Sequence, residues 1–176
     1  MFSRILTKLV DEAILPAVVL VAVRIVSVIF FGNYFGFDVT LSRAGFVYES
    51  AEGFLVINSY STLAMTCVIA IGLLYVLIKS YIFHDTHIHP RISAKLFSLR
   101  LSSFIQTSFE VYAQGAIWLP YSYLMLLASG AMWYLGLVFD WVFYVALALA
   151  FLGTYFLVLD VEKELKPEIT LEGGEE

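Results

Sequence analysis

Residues 113–159 read AQGAIWLPYSYLMLLASGAMWYLGLVFDWVFYVALALAFLGTYFLVL, and the only charge among them is Asp140. A helix needs about 20 apolar residues to cross roughly 30 Å of hydrocarbon, so this stretch holds two spans, about 113–134 and 139–159. Only Leu135-Gly136-Leu137-Val138 separates them. So short a connection forces a tight antiparallel helical hairpin, with Gly136 as the turn residue. Asp140 and Asp160 bracket the second of the two spans.

Working outward, the same window finds a span at about 57–78, with Lys79 placed to snorkel from its end, and another at about 13–31, interrupted by Arg24. Residues 53–78 and 111–139 carry no charge at all. The whole chain of 176 residues is 61% hydrophobic and 14% charged, with a mean hydropathy of +0.87. Soluble domains run at about 45–50% apolar and about 25% charged. A soluble α/β enzyme, a nucleic-acid-binding module and a disordered chain are therefore poor readings, and Cys67 is a lone cysteine that cannot build a disulfide framework. The expected class is an all-α integral membrane protein, a four-span helical bundle forming one transmembrane domain over 1–159.

The net charge of −5 is concentrated at one end. Residues 160–176 hold seven acids against Lys163 and Lys166, and the rest of the chain is balanced. With Pro167 and Gly173-Gly174, this segment reads as a helix stub followed by a solvated acidic cytoplasmic tail. Basic residues orient the spans, because Lys and Arg near membrane segments stay on the cytoplasmic side. Arg4 and Lys8 precede the first span, Lys79, Arg91, Lys95 and Arg100 lie between the second and third, and Lys163 and Lys166 follow the fourth. The opposite side receives only Arg43. This predicts a multi-pass protein of the cell membrane with both termini cytoplasmic. A cleavable signal peptide fits less well: Asp11 and Glu12 precede the apolar run, Arg24 interrupts it, and bulky Ile29-Phe30-Phe31 follows. Trp133, Tyr134, Trp141 and Tyr144 around Gly136, and Trp118, Tyr121 and Tyr123 toward the other end of the third span, fit rings anchored at the two interfaces.

The long inner connection contains two patterns. From Ile92 onward, Phe97, Leu101, Phe104, Ile105, Phe109 and Tyr112 recur at helical spacing, with Lys95, Ser102, Gln106 and Glu110 on another face. This predicts one cytoplasmic interfacial amphipathic helix over about 92–112, its bases Arg91, Lys95 and Arg100 facing anionic lipid headgroups. The alternative is that its apolar face packs on the protein's own helices. Ahead of it stands His84-Asp85-Thr86-His87-Ile88-His89-Pro90. His84, His87 and His89 with Asp85 form a weak candidate metal site, since imidazole suits zinc or copper, but one short segment seldom encloses an ion. Pro90 disfavours helical geometry at His89, so the second helix is expected to end near His87 with imidazoles against its free carbonyls. A proton-sensitive switch is a third use of the cluster.

Arg24 sits near the middle of its span, where insertion costs about 2.5–3.5 kcal/mol. Ala13, Ala17 and Arg24 share a face, so the guanidinium should point at neighbouring helices, toward Glu110 or toward the stripe of Asn58, Thr62 and Thr66 on the second span. The readings are a register-fixing tether or snorkel, an ion or anion pathway, or a contact with another membrane protein. Gly115, Ser122, Ser129 and Gly136 on the third span, and Ala146, Ala150 and Gly153 on the fourth, form small-residue packing faces. The outer loop over about 32–56 reads as a short hairpin around Ser42-Arg43-Ala44-Gly45 or, given Tyr34, Phe35 and Phe37, as a shallow re-entrant or surface-lying segment.

No Gly-rich phosphate loop, Cys-x-x-Cys pair, nucleophile elbow or haem-binding His pair is present. No catalytic residue and no cofactor is expected. The function expected is a non-catalytic accessory, scaffolding or assembly subunit of a membrane complex, partnered by the lipid bilayer and by another membrane protein or a second copy of itself, with no nucleic acid. A small transporter or channel using Arg24 and the polar stripe is the alternative. A metal-dependent membrane enzyme or sensor at the His cluster is a third reading.

Overall fold

The structure, a computed structural model, describes residues 2–43, 45–83, 88–101, 105 and 108–172, without the side chains of 2–12, 83, 108–111 and 162–172. The described chain is mostly helical: α1 (Phe2–Phe35), β1 (Val39–Ser42), β2 (Gly45–Tyr48), α2 (Ala51–Phe83), α3 (Pro90–Ser98), α4 (Ser108–Tyr134) and α5 (Asp140–Glu172). Among the described residues, three segments are long and apolar enough to cross a membrane: Ala13–Phe35, Ala51–Ile82 and Asp140–Val161. The helix α4 is long enough but more dilute, since Gln114, Pro120, Tyr121, Ser122 and Tyr123 interrupt its apolar run.

The interior mixes aliphatic with small polar residues, and much apolar surface is left outside. The buried set includes Ser27, Asn58, Ser59, Ser61, Thr62, Thr66, Ser80, Ser122, Ser129 and Asp160, whereas Leu127 and Phe151 are 70% and 68% exposed. Ile57, Ile69, Leu73 and Val76 are buried along with these polar groups, while many other large apolar side chains face outward, as expected where close packing and internal hydrogen bonds bring helices together in lipid.

The chain divides into two compact units, Met1–Ile71 with Pro120–Ala150 and Gly72–Leu119 with Phe151–Glu176. In the first, α1 ends at Gly36, whose φ of 72° is left-handed; Phe37 N–H donates to Gly32 O (2.9 Å) and Gly36 N–H to Asn33 O (3.4 Å). This is a Schellman cap. The antiparallel hairpin that follows pairs Val39 with Tyr48 and Ser42 with Gly45, leaving a two-residue connection. Gly32 and Gly53 seat it, because a Cβ on either would come within 2.8 Å of Val39 or 2.9 Å of Phe37. Of the two forms expected for the outer loop, the hairpin is the one formed. Ser50 then caps α2, its Oγ accepting from Gly53 N–H at 3.0 Å. At the far end of α4 the same Schellman geometry recurs: Gly136 has φ 69°, Leu137 N–H donates to Met132 O (2.8 Å) and Gly136 N–H to Trp133 O (2.9 Å). Trp133 closes that turn by stacking on Phe143, with centroids 5.0 Å apart, and by donating Nε1–H to Asp140 at 3.0 Å.

In the second unit the helices meet at glycines. A Cβ on Gly72 of α2 would fall into the Trp118 indole of α4, and one on Gly153 of α5 would meet Leu73 of α2 at 3.1 Å. Gly115 of α4 faces Leu157 of α5 at an ordinary 3.6 Å.

The helix expected to run unbroken over about 92–112 does not do so. α3 stops at Ser98, Arg100 takes φ 58°, and Leu101 N–H and Arg100 N–H donate back to Leu96 O (2.8 Å) and Phe97 O (3.1 Å). This is a third Schellman cap, here with an arginine where glycine is usual. The helix α5 continues to Glu172, past Pro167, so the helical part of the tail exceeds the short stub expected.

Candidate functional site

The most distinctive chemistry lies in the first unit, where α1 presents a cation to α2. Leu20, Ser27 and Val28 are buried on the same side of α1 as the half-buried Arg24. Arg24 Nη1 donates to Ser61 Oγ, to Thr62 Oγ1 (3.3 Å) and to Asn58 O (3.4 Å), and Nη2 donates to Asn58 Oδ1. Every acceptor is neutral. Among the described residues no carboxylate pairs with the guanidinium, and the α2 oxygens spread its charge over several dipoles instead.

The same α2 segment reaches the α4–α5 turn. Asn58 Nδ2–H donates to Leu137 O at 2.6 Å, and Phe139 N–H donates to Ser59 Oγ at 2.9 Å. Leu137 and Phe139 belong to a turn that leaves helix-end groups without intrahelical partners, so α2 satisfies backbone that would otherwise be orphaned. Asn58 thus uses both ends of its amide, one for Arg24 and one for the turn. Tyr121 of α4 adds a further tie, donating to Ala13 O of α1 at 2.8 Å. The hydroxyls of this face donate within their own helix: Ser61 to Ile57 O (2.6 Å), Thr62 to Asn58 O (2.7 Å) and Thr66 to Thr62 O (2.9 Å). No hydroxyl of the stripe is left pointing into an open polar channel. A groove of about 350 Å³ is lined by Val23, Val26, Ser27, Phe30, Phe31 and Ala64, apolar but for Ser27, whose hydroxyl donates to Arg24 O.

Tyr48 of the hairpin packs on Phe54, with centroids 5.0 Å apart. Burial pushes its phenol above the ordinary value, and the Arg24 guanidinium, close enough to act on it, pulls the other way.

Of the residues singled out from sequence, the structure brings Arg24, Asn58 and Thr62 together. Thr66 stands one turn along α2 without touching Arg24, and the side chain of Glu110 lies outside the described residues. Ser61 and Ser59 were not anticipated. A signal for Ser61 existed, since it lies three residues from Asn58 and so shares its helix face; the bond from Ser59 to a turn 80 residues away left none.

His84, Asp85 and His87 lie outside the described residues, and no cluster of three metal-ligating side chains occurs among the described ones. The helix end expected near His87, with imidazoles against it, falls among residues 84–87, outside the described residues; His89 itself has another role. It is the N-cap of α3, its Nδ1 accepting from Arg91 N–H at 3.2 Å, with Pro90 at the first helical position, where its missing N–H costs nothing. Arg91, Lys95 and Arg100 are all exposed.

The second unit hides a carboxylate that the sequence placed at the start of the solvated tail. Asp160 is 2% exposed and accepts from Ser80 Oγ, and beside it Tyr81 donates to Phe156 O at 3.1 Å. These contacts fasten the end of α2 to α5. Compared with known protein families, curated proteins and solved structures, the chain matches none.

Proposed function

We propose that this chain is a four-span membrane protein with cytoplasmic termini that works without catalysis, as an accessory, scaffolding or assembly subunit of a membrane complex. The observation that carries the reading is the way the spanning helices use their polar groups. Arg24, Asn58, Ser59, Ser61 and Thr62 are engaged in bonds that hold α1, α2 and the α4–α5 turn to one another. A transport path needs polar groups facing water or a passing ion, and here they are bonded to one another and to the protein's own backbone.

Besides the three segments that meet the length and hydropathy of a span, α4, third of the spans in chain order, completes the four. It ends in the Gly136 turn, and Trp133 stacks on Phe143, so α4 runs back along α5. A neighbour of a crossing helix joined by five residues has to cross as well. The bias of Lys and Arg toward the loop between α2 and α4 and toward both ends puts those segments in the cytoplasm.

The test is reconstitution combined with native purification. The purified protein in sealed liposomes is expected to pass neither small cations nor small anions. Extracted from its own membranes in mild detergent, it is expected to migrate as a discrete assembly well above its 19.8 kDa mass, with another membrane protein or with itself. Flux that disappears in Arg24→Ala while the assembly persists would replace this reading with a transporter.

A further inference from the structure

The helix α3 buries none of its side chains. At nine residues it is shorter than the roughly 12–15 at which an isolated helix is even marginal in water, so its stability needs a surface that the described protein does not supply. At roughly 100° per residue, Ile92, Leu96 and Phe97 fall on one side of it and Arg91, Lys95 and Ser98 on the other. Phe97 is 63% exposed and Leu99 57%. Both ends are fixed, by the His89 cap and by the Schellman turn at Arg100, so the short helix is held in register with its bases and apolar residues sorted.

We propose that α3 docks on the membrane surface through anionic lipid headgroups, with Ile92, Phe97 and Leu99 entering the acyl boundary and Arg91, Lys95 and Arg100 holding phosphates. Two features select lipid over other partners. The membrane-spanning part of α2 extends to Ile82, and a connection of seven residues to Pro90 cannot exceed about 25 Å even when fully extended. The three exposed cations, with no acid among the residues of α3, complement the negative inner leaflet, where each is worth about fivefold in affinity. The inference rests on α2 crossing the bilayer.

The experiment uses the full chain with Cys67→Ser and Ser93→Cys, labelled with an environment-sensitive fluorophore and reconstituted into phosphatidylcholine vesicles with or without phosphatidylglycerol. With phosphatidylglycerol, the probe is expected to be shielded from aqueous iodide and quenched by shallow spin-labelled lipid. Replacing Arg91, Lys95 and Arg100 together by Gln should lower the ratio of docked to free α3 about a hundredfold, and high salt should act in the same direction. Iodide access in both kinds of vesicle would overturn the proposal. So would equal shielding in both lipids that ignores salt and the three substitutions, which would assign the face to a second copy or another protein. Whether α2 crosses the bilayer is read separately, from cysteine labels near its two ends in sealed vesicles: labels reached from the same side would remove that premise, a result separable from either of these.

Discussion

The two units of the molecule are held by different means. The first relies on directional bonds: a guanidinium shared among α2 oxygens, and an asparagine and a serine that take up the loose ends of a turn. The second relies on close approach, with glycines at the helix contacts and a Ser80–Asp160 bond at one end. Hydrogen-bonded contacts specify register and are costly to break by halves. Glycine contacts tolerate any chemistry that leaves their volume unchanged.

Asn58→Leu breaks the first unit most severely, because it strands part of the Arg24 charge and the Leu137 carbonyl at once. A loss of about 3 kcal/mol is expected, read as a lowered thermal midpoint in detergent. A midpoint unchanged within error would mean that the cluster contributes no stability. Gly72→Ala tests the second unit. The indole of Trp118 cannot yield as a flexible side chain would, so a loss of about 1–3 kcal/mol is expected, whereas Gly115→Ala, with ordinary contact distances, should be neutral or slightly stabilising.

The caps sharpen the contrast further. Gly36 and Gly136 in the first unit adopt left-handed φ without penalty, while Arg100 in the second does so against its Cβ. Arg100→Gly should therefore stabilise α3 by about 1 kcal/mol, measured as slower amide exchange over Pro90–Ser98 in a neutral detergent. The smallest effect belongs to Tyr48. Its phenol is held above the ordinary value of 10.0, so its stabilising contribution is complete below that pH and is lost as pH rises past the raised value. Tyr48→Phe should remove this alkaline component of unfolding and leave neutral-pH stability nearly unchanged.

Much of the helical scaffold was legible because the apolar windows are long and their breaks are abrupt. Gly136 announced its turn because only glycine takes that φ freely. The Arg100 turn carried no such mark, so the sequence reading ran one helix through it. The α2 stripe was visible at steps of four, which found Asn58 and Thr62 beside Arg24 but not Ser61, three residues along. Asn58 with Leu137, Ser59 with Phe139 and Ser80 with Asp160 join positions about 80 residues apart. Two of these involve backbone, which leaves no trace in residue type. Asp160 looked like the first solvated acid of the tail because nothing local foretells the serine that covers it.

Arg24 also bears on how the chain is made. In a growing polypeptide α1 reaches the bilayer while the acceptors of Asn58, 34 residues later, are still inside the ribosome or its exit channel. Until they emerge the guanidinium has nothing in the lipid to bond to. The first helix therefore carries the cost of an unbonded guanidinium, about 2.5–3.5 kcal/mol, until α2 arrives and relieves it. A nascent chain arrested before Asn58 should integrate less completely than one arrested after Thr62.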